Sequence, residues 1–203
     1  MMEAAVNYNS TNVKSLADEA LDNLMKGNER FMNNMRINRN LLQQVQDTKE
    51  GQQPYAVIIS CMDSRTSPEL IFDQGLGDIF SIRIAGNVVT PEIIGSAEYA
   101  CKVVGSKLIM VLGHHGCGAV KGAVDNVKLG HLPTITDRIQ FHAYKGATIE
   151  EVTVNNVKAG MRTLHETSDI LNQLANDQEI RIVGGVYDIA TGEVEFIGDH
   201  HEC

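Results

Sequence analysis

The chain has 203 residues, 43% of them hydrophobic and 21% charged, with a formal net charge of −9. That length provides for one sizeable core, and the balance is that of a folded rather than a disordered protein. An acidic surface of this size argues against nucleic acid or an anionic membrane as the main partner, because both reward clusters of Lys and Arg. The opening Met1-Met2-Glu3-Ala4 shows neither the basic nor the apolar region of a secretory signal. No apolar run approaches the roughly 20 residues that span a bilayer. A cytoplasmic location is therefore expected, with the four cysteines present as reduced thiols.

Over 11–36, Leu16, Ala20, Leu21, Leu24 and Met25 recur at helical spacing, which predicts a helix that Gly27-Asn28 interrupts and Phe31-Met32 resumes. The stretch 38–53 is polar and rich in Gln and Asn, and predicts an irregular or weakly helical connection. Four short apolar runs follow, at 55–60, 79–84, 107–112 and 180–187, each reading as a buried parallel strand. Helical patterns lie between them: a short one from Pro68, one from Pro91 to Val104, one from Gly118 and a long one across 148–176. This alternation predicts an α/β fold with a central, mostly parallel sheet flanked by helices. Thr191-Gly192 predicts a tight turn into a C-terminal antiparallel edge strand. The expected organisation is a single domain over 1–203, with an N-terminal helical arm to about residue 36 and an α/β core over 54–198.

Ligands of open α/β sheets bind beyond the carboxyl ends of parallel strands. The first predicted strand runs into Cys61-Met62-Asp63-Ser64-Arg65 and the third into Gly113-His114-His115-Gly116-Cys117-Gly118. Cys61, His114 and Cys117 make a donor set suited to zinc, and three protein ligands leave a fourth position open, the mark of a catalytic site. A metal there acidifies bound water. Two thiolates donate more charge than imidazoles, so an alkaline activity optimum is expected. Asp63 is placed to orient the nucleophile or to bind the metal itself, and a guanidinium fork from Arg65 would hold it away.

Other candidates read more plainly. Cys101 falls within a predicted helix and is expected to be core filler. The tail His200-His201-Glu202-Cys203 is expected to be a solvated, frayed terminus rather than a chelator. His115 adjoins the site and is held in reserve as a proton carrier.

These motifs together resemble the β-class carbonic anhydrases. The C-x-D-x-R signature stands as Cys61 to Arg65 and the H-x-x-C-G signature as His114 to Gly118. Similarity extends through Phe72-Asp73, Gly77-Asp78-Ile79-Phe80, Arg83, Ala85-Gly86-Asn87 and Gly95 to Ala100, with Gly27 to Phe31 upstream and Val186-Tyr187-Asp188 downstream. The resemblance implies reversible hydration of carbon dioxide to bicarbonate by attack of zinc-bound hydroxide, with one zinc per chain on Cys61, His114 and Cys117. It implies Asp63 and Arg65 as the catalytic dyad, and Gly118, Gln52, Phe80 and Tyr99 as substrate-binding residues. It also implies a homodimer or a dimer of dimers, with the active site at the dimer interface. Ile58 stands where the bicarbonate-inhibited subtype has tryptophan, so the accessible subtype is expected. A zinc hydrolase acting on carbonyl sulfide or carbon disulfide would use the same groups. A bicarbonate sensor or a structural zinc protein is the rival of another class, and the intact dyad argues against it.

Overall fold

The computed structural model describes residues 14–202. The opening of the predicted arm and Cys203 lie outside the described residues. Helices α1 (Leu16–Met32) and α2 (Leu41–Thr48) precede strand β1 (Ala56–Ser60). A short α3 (Pro68–Ile71) leads to β2 (Ile79–Arg83), a 3-10 turn at Ala85–Asn87, α4 (Pro91–Glu98) and a π-helical turn at Tyr99–Val104. Strand β3 (Leu108–His114) is followed by α5 (Gly118–Val124), α6 (Pro133–Gln140), α7 (Ile149–Thr167) and α8 (Asp169–Asn176). The chain closes with β4 (Arg181–Tyr187), β5 (Val194–Asp199) and a 3-10 turn at His200–Glu202. The five strands lie in the order β2-β1-β3-β4-β5; the first four are parallel and β5 is antiparallel at the edge.

Alternation along the strands divides the core between two faces. Val57, Ile59, Ile109, Val111 and Ile182 pack under α4, α7 and α8. Ala56, Ile58, Leu108, Met110 and Val183 pack against Ala20 and Leu24 of α1 and against Ile71 and Phe72. In the order β2-β1-β3-β4 the connection from β1 runs to one side, to β2, and that from β3 to the other, to β4, so a crevice opens between the carboxyl ends of β1 and β3. Among the described residues no helix is long and apolar enough to cross a membrane.

Several elements differ from expectation for physical reasons. Helix α1 runs through Gly27-Asn28 without a break. A Cβ on Gly27 would lie 1.8 Å from the Phe72 carbonyl oxygen, so the glycine serves close approach to the end of α3. Asn28 donates to the carbonyls of Ile71 (3.1 Å) and Gly192 (2.8 Å) and accepts from the Val194 amide (2.9 Å). These tertiary bonds override two poor helix formers. The polar connection contains α2, capped by Asn40, with no buried residue. The long pattern across 148–176 breaks at Ser168, which is extended and caps α8 through the Leu171 amide. Helix α6 was not foreseen; Pro133 in its first turn was the available signal. The described part of the tail is not frayed, for His200 is buried and its ring lies 4.4 Å from that of His165. Cys101 is core filler, with burial pushing its thiol up to about 12.

The arm is fastened to the body at Asp73, which is 3% exposed. Its carboxylate accepts from Arg30 (2.6 Å), Arg39 (2.6 Å) and the Ile37 amide (3.2 Å). Burial pushes this carboxyl up, but the two guanidinium donors and the amide outweigh it and hold it below its ordinary value. A carboxyl lowered in the folded state adds stability above its unfolded value, about pH 4, and loses it as pH falls through the folded value. Asp73→Asn is therefore expected to cost about 3 kcal/mol at neutral pH. Urea midpoints should show that deficit shrinking as the medium is acidified below about pH 4; a deficit independent of pH would mean the charge is not what matters.

Candidate metal centre

Strand β1 ends in a loop gripped from two sides. The Thr66 hydroxyl donates to the carbonyls of Cys61 (3.0 Å) and Asp63 (3.0 Å), and Arg83 donates to the same two, at 3.2 Å and 2.5 Å. The Met62 amide completes the hold on the Ile84 carbonyl (3.2 Å). Cys61 is thereby aimed into the crevice from the carboxyl end of β1. His114 is the last residue of β3, and the next turn passes through Gly116, whose φ of +65° favours glycine. That turn brings Cys117, the N-cap of α5, back beside His114.

The three side chains converge. The ligating atoms of Cys61, His114 and Cys117 lie within 4.8 Å of one another, all three residues are buried, and the two sulfurs are 3.9 Å apart. The Cys117 thiol and the Gly86 amide favour the thiolate at Cys61 and lower its pKa against burial. That thiolate, with burial, pushes the Cys117 thiol up. His114 Nδ1 is 3.0 Å from the His115 carbonyl oxygen, which makes it the protonated nitrogen. The remaining nitrogen, Nε2, is buried with no hydrogen-bond partner among the described residues. Leaving such an atom unmade costs about 1–3 kcal/mol. A bare imidazole lone pair facing two thiols is a donor set for a soft or borderline divalent cation, so the residues fit a metal.

Beside the triad, Arg65 makes a fork onto Asp63. Its Nε lies 2.9 Å from Oδ1 and its Nη2 2.8 Å from Oδ2, and its own amide adds a bond at 2.9 Å. The guanidinium hydrogen bonds hold the Asp63 carboxyl well below the usual carboxylate range. Asp63 is thus an ionised acceptor beside the triad.

Of the other expected residues, Gly118 and His115 adjoin the ligands Cys117 and His114 in the chain, whereas Gln52, Phe80 and Tyr99 do not meet the triad within the chain. Gln52 is exposed and precedes β1, at the opposite end of the strand from Cys61. Phe80 pairs with Val57 in the amino-terminal half of the sheet. Its ring meets that of Tyr99 edge to face at 6.5 Å, and the two line a cavity of about 380 Å³ with Ile82 and Glu92. Gly118 is exposed at the start of α5. His115 Nδ1 lies 3.8 Å from Asp188. Sequence reasoning missed the support beneath the ligands: Thr66, and the Gly86 amide 3.4 Å from the Cys61 sulfur. Neither has a spacing signature.

A buried Cys-His-Cys triad able to hold a metal at the topological crevice of an α/β sheet, with an ionised carboxylate clamped beside it, fits the class of metal-dependent catalytic centres. Comparison with known proteins narrows the class. The carbonic anhydrase family model matches residues 56–194. Carbonic anhydrase 2 of Mycobacterium tuberculosis is 41% identical over 140 residues, 66% of this chain and 67% of that one. The carbonic anhydrase of Mycolicibacterium smegmatis is 36% identical over 156 residues, 72% and 76% of the two chains. Among solved structures, the β-carbonic anhydrase CafA of Aspergillus fumigatus shares the fold, with a TM-score of 0.69 at 24% identity over 77% of this chain and 81% of that one. The chain belongs to the carbonic anhydrase family, in its β class.

Proposed function

We propose that this protein is a zinc-dependent carbonate dehydratase of the accessible subtype, hydrating carbon dioxide reversibly to bicarbonate. The observation that carries the reading is the buried triad with its orphaned His114 Nε2, set beside an Asp63 engaged by Arg65 rather than turned to the triad. Cys61, His114 and Cys117 would hold one zinc per chain. The chemistry a bound zinc supplies is acidification of water, which provides a nucleophile for carbon dioxide. Asp63 accepts the proton side of that nucleophile's hydrogen bond and fixes its direction. Arg65 keeps the carboxylate in the accepting position. The Gly118 amide steadies a substrate oxygen.

In this reading Gln52, Phe80 and Tyr99 serve the site of a second copy, in a homodimer or a dimer of dimers. Three features support it. Strand β2 is an edge strand, Tyr99 beside it is 51% exposed, and α2 leaves Leu41 and Leu42 exposed with no buried face of its own.

Stopped-flow hydration of carbon dioxide on metal-quantified protein tests the function. Fast, zinc-dependent turnover that rises from neutral to mildly alkaline pH is expected. Absence of hydration at full zinc occupancy would overturn the reading and direct attention to sulfur analogues of the substrate.

A further inference from the structure

How much charge a thiolate gives its metal depends on the hydrogen bonds made to the sulfur. At Cys61 that bond comes from the main chain of Gly86, whose N–H lies 3.4 Å from Sγ. Glycine has the freest backbone of any residue, so a glycine amide aimed at a sulfur needs something else to fix it. Gly86 has φ +66°, and a Cβ there would stand 2.5 Å from Ile139 Cδ1 and 3.1 Å from the Ala119 Cβ. A side chain would be strained there and tightly packed, so the site keeps glycine and restraint has to come from outside. It comes from α7: Asn156 Nδ2 donates to the Gly86 carbonyl at 2.8 Å. Gly86 is therefore tied at both ends, its N–H to the sulfur of Cys61 and its C=O to a buried amide.

The placement of Asn156 is itself enforced by packing. Helix α7 presses closely on the sheet because Gly113 of β3 and Gly184 of β4 leave room for it. A Cβ on Gly113 would meet Val157 at 2.7 Å, and one on Gly184 would meet Val157 and Met161 at 2.9 Å. Asn156 adjoins Val157 on this helix and is 5% exposed. Helix, turn and sulfur form one connected chain of contacts.

We infer that Asn156 is a positioning residue of the metal centre, acting through Gly86 on the sulfur of Cys61. The inference rests on the reading that Cys61, His114 and Cys117 hold the metal. Asn156 touches neither substrate nor metal. Its effect is to keep a hydrogen-bond donor on a ligand sulfur, and so to set the charge that sulfur delivers.

The test compares Asn156→Asp, which keeps the size but replaces the donating amide with a carboxylate, with Leu164→Val, which loosens the same helix elsewhere. Zinc affinity is measured by chelator competition, and the cobalt(II)-substituted proteins are examined for the sulfur-to-cobalt charge-transfer band. Asn156→Asp is expected to weaken zinc binding by about tenfold or more and to shift the band. Leu164→Val is expected to lower the melting temperature while leaving affinity and band unchanged. If Asn156→Asp does not fold, Asn156→Ser, whose hydroxyl is too short to reach Gly86, carries the same comparison. Wild-type affinity and an unshifted band in a folded Asn156 variant would reduce the residue to a structural fastening. Failure of the wild type to take up either ion would instead overturn the metal reading, and this one with it.

Discussion

Cys61→Ser is expected to abolish carbon dioxide hydration and to leave the protein without bound zinc. A serine hydroxyl keeps its proton at neutral pH, so the site loses the ligand whose thiolate its neighbours favour most. With His114 and Cys117 alone, two protein donors remain, fewer than a catalytic zinc site uses. The fold should survive. Thr66 and Arg83 hold the main-chain carbonyl of residue 61 rather than its side chain. Metal content by atomic emission, stopped-flow hydration and circular dichroism are read together. Zinc should be absent, turnover should fall by the roughly 10⁶-fold or more that enzymes contribute, and the spectrum should be unchanged. A variant that still binds zinc and turns over would remove Cys61 from the centre.

The second large effect is at the dyad, where two substitutions should separate two roles. Asp63→Asn keeps the shape but replaces an ionised acceptor with a neutral amide. Zinc should stay bound while turnover falls by roughly 10²–10⁴-fold. Arg65→Ala leaves the carboxylate ionised but removes the fork that holds it. The freed Asp63 then competes for the open position of the metal. Turnover should fall, and fall further as pH is lowered, because hydroxide becomes scarcer as the competitor. In the wild type the Arg65 hydrogen bonds keep Asp63 ionised across the working range, so the dyad should add no acid limb of its own there. Activity of Arg65→Ala equal to wild type at every pH would show that no guard is needed.

The parts of this fold that were legible in sequence are those set by local pattern. Runs such as 55–60 and 107–112 are apolar throughout and too short for a helix between their neighbouring elements, so they read as buried strands, and they appear at Ala56–Ser60 and Leu108–His114. The triad was legible because each ligand stands at or just beyond a strand or turn that pattern reveals. What pattern does not carry is contact between distant segments. Gly27-Asn28 reads as a helix breaker until Phe72, Ile71 and Gly192 are brought against it. Asn156 reads as one polar residue in an amphipathic helix, and its bond to Gly86 spans 70 positions. His200 reads as part of a polar tail until α7 brings His165 beneath it.

The register of β1 against β3 is what brings this centre together. Cys61 and His114 follow or end strands that pair from Ala56 with Leu108 to Ser60 with Leu112, neighbours in space but distant in the chain. In the unfolded polypeptide the three donors are no chelate, since a long loop must close before the first cysteine meets the other two. A metal held by all three donors would therefore tie β1 to β3 only where the sheet has already paired them. Whatever stability it added would grow with the logarithm of free metal, making the pairing of these two strands answerable to supply from outside the chain.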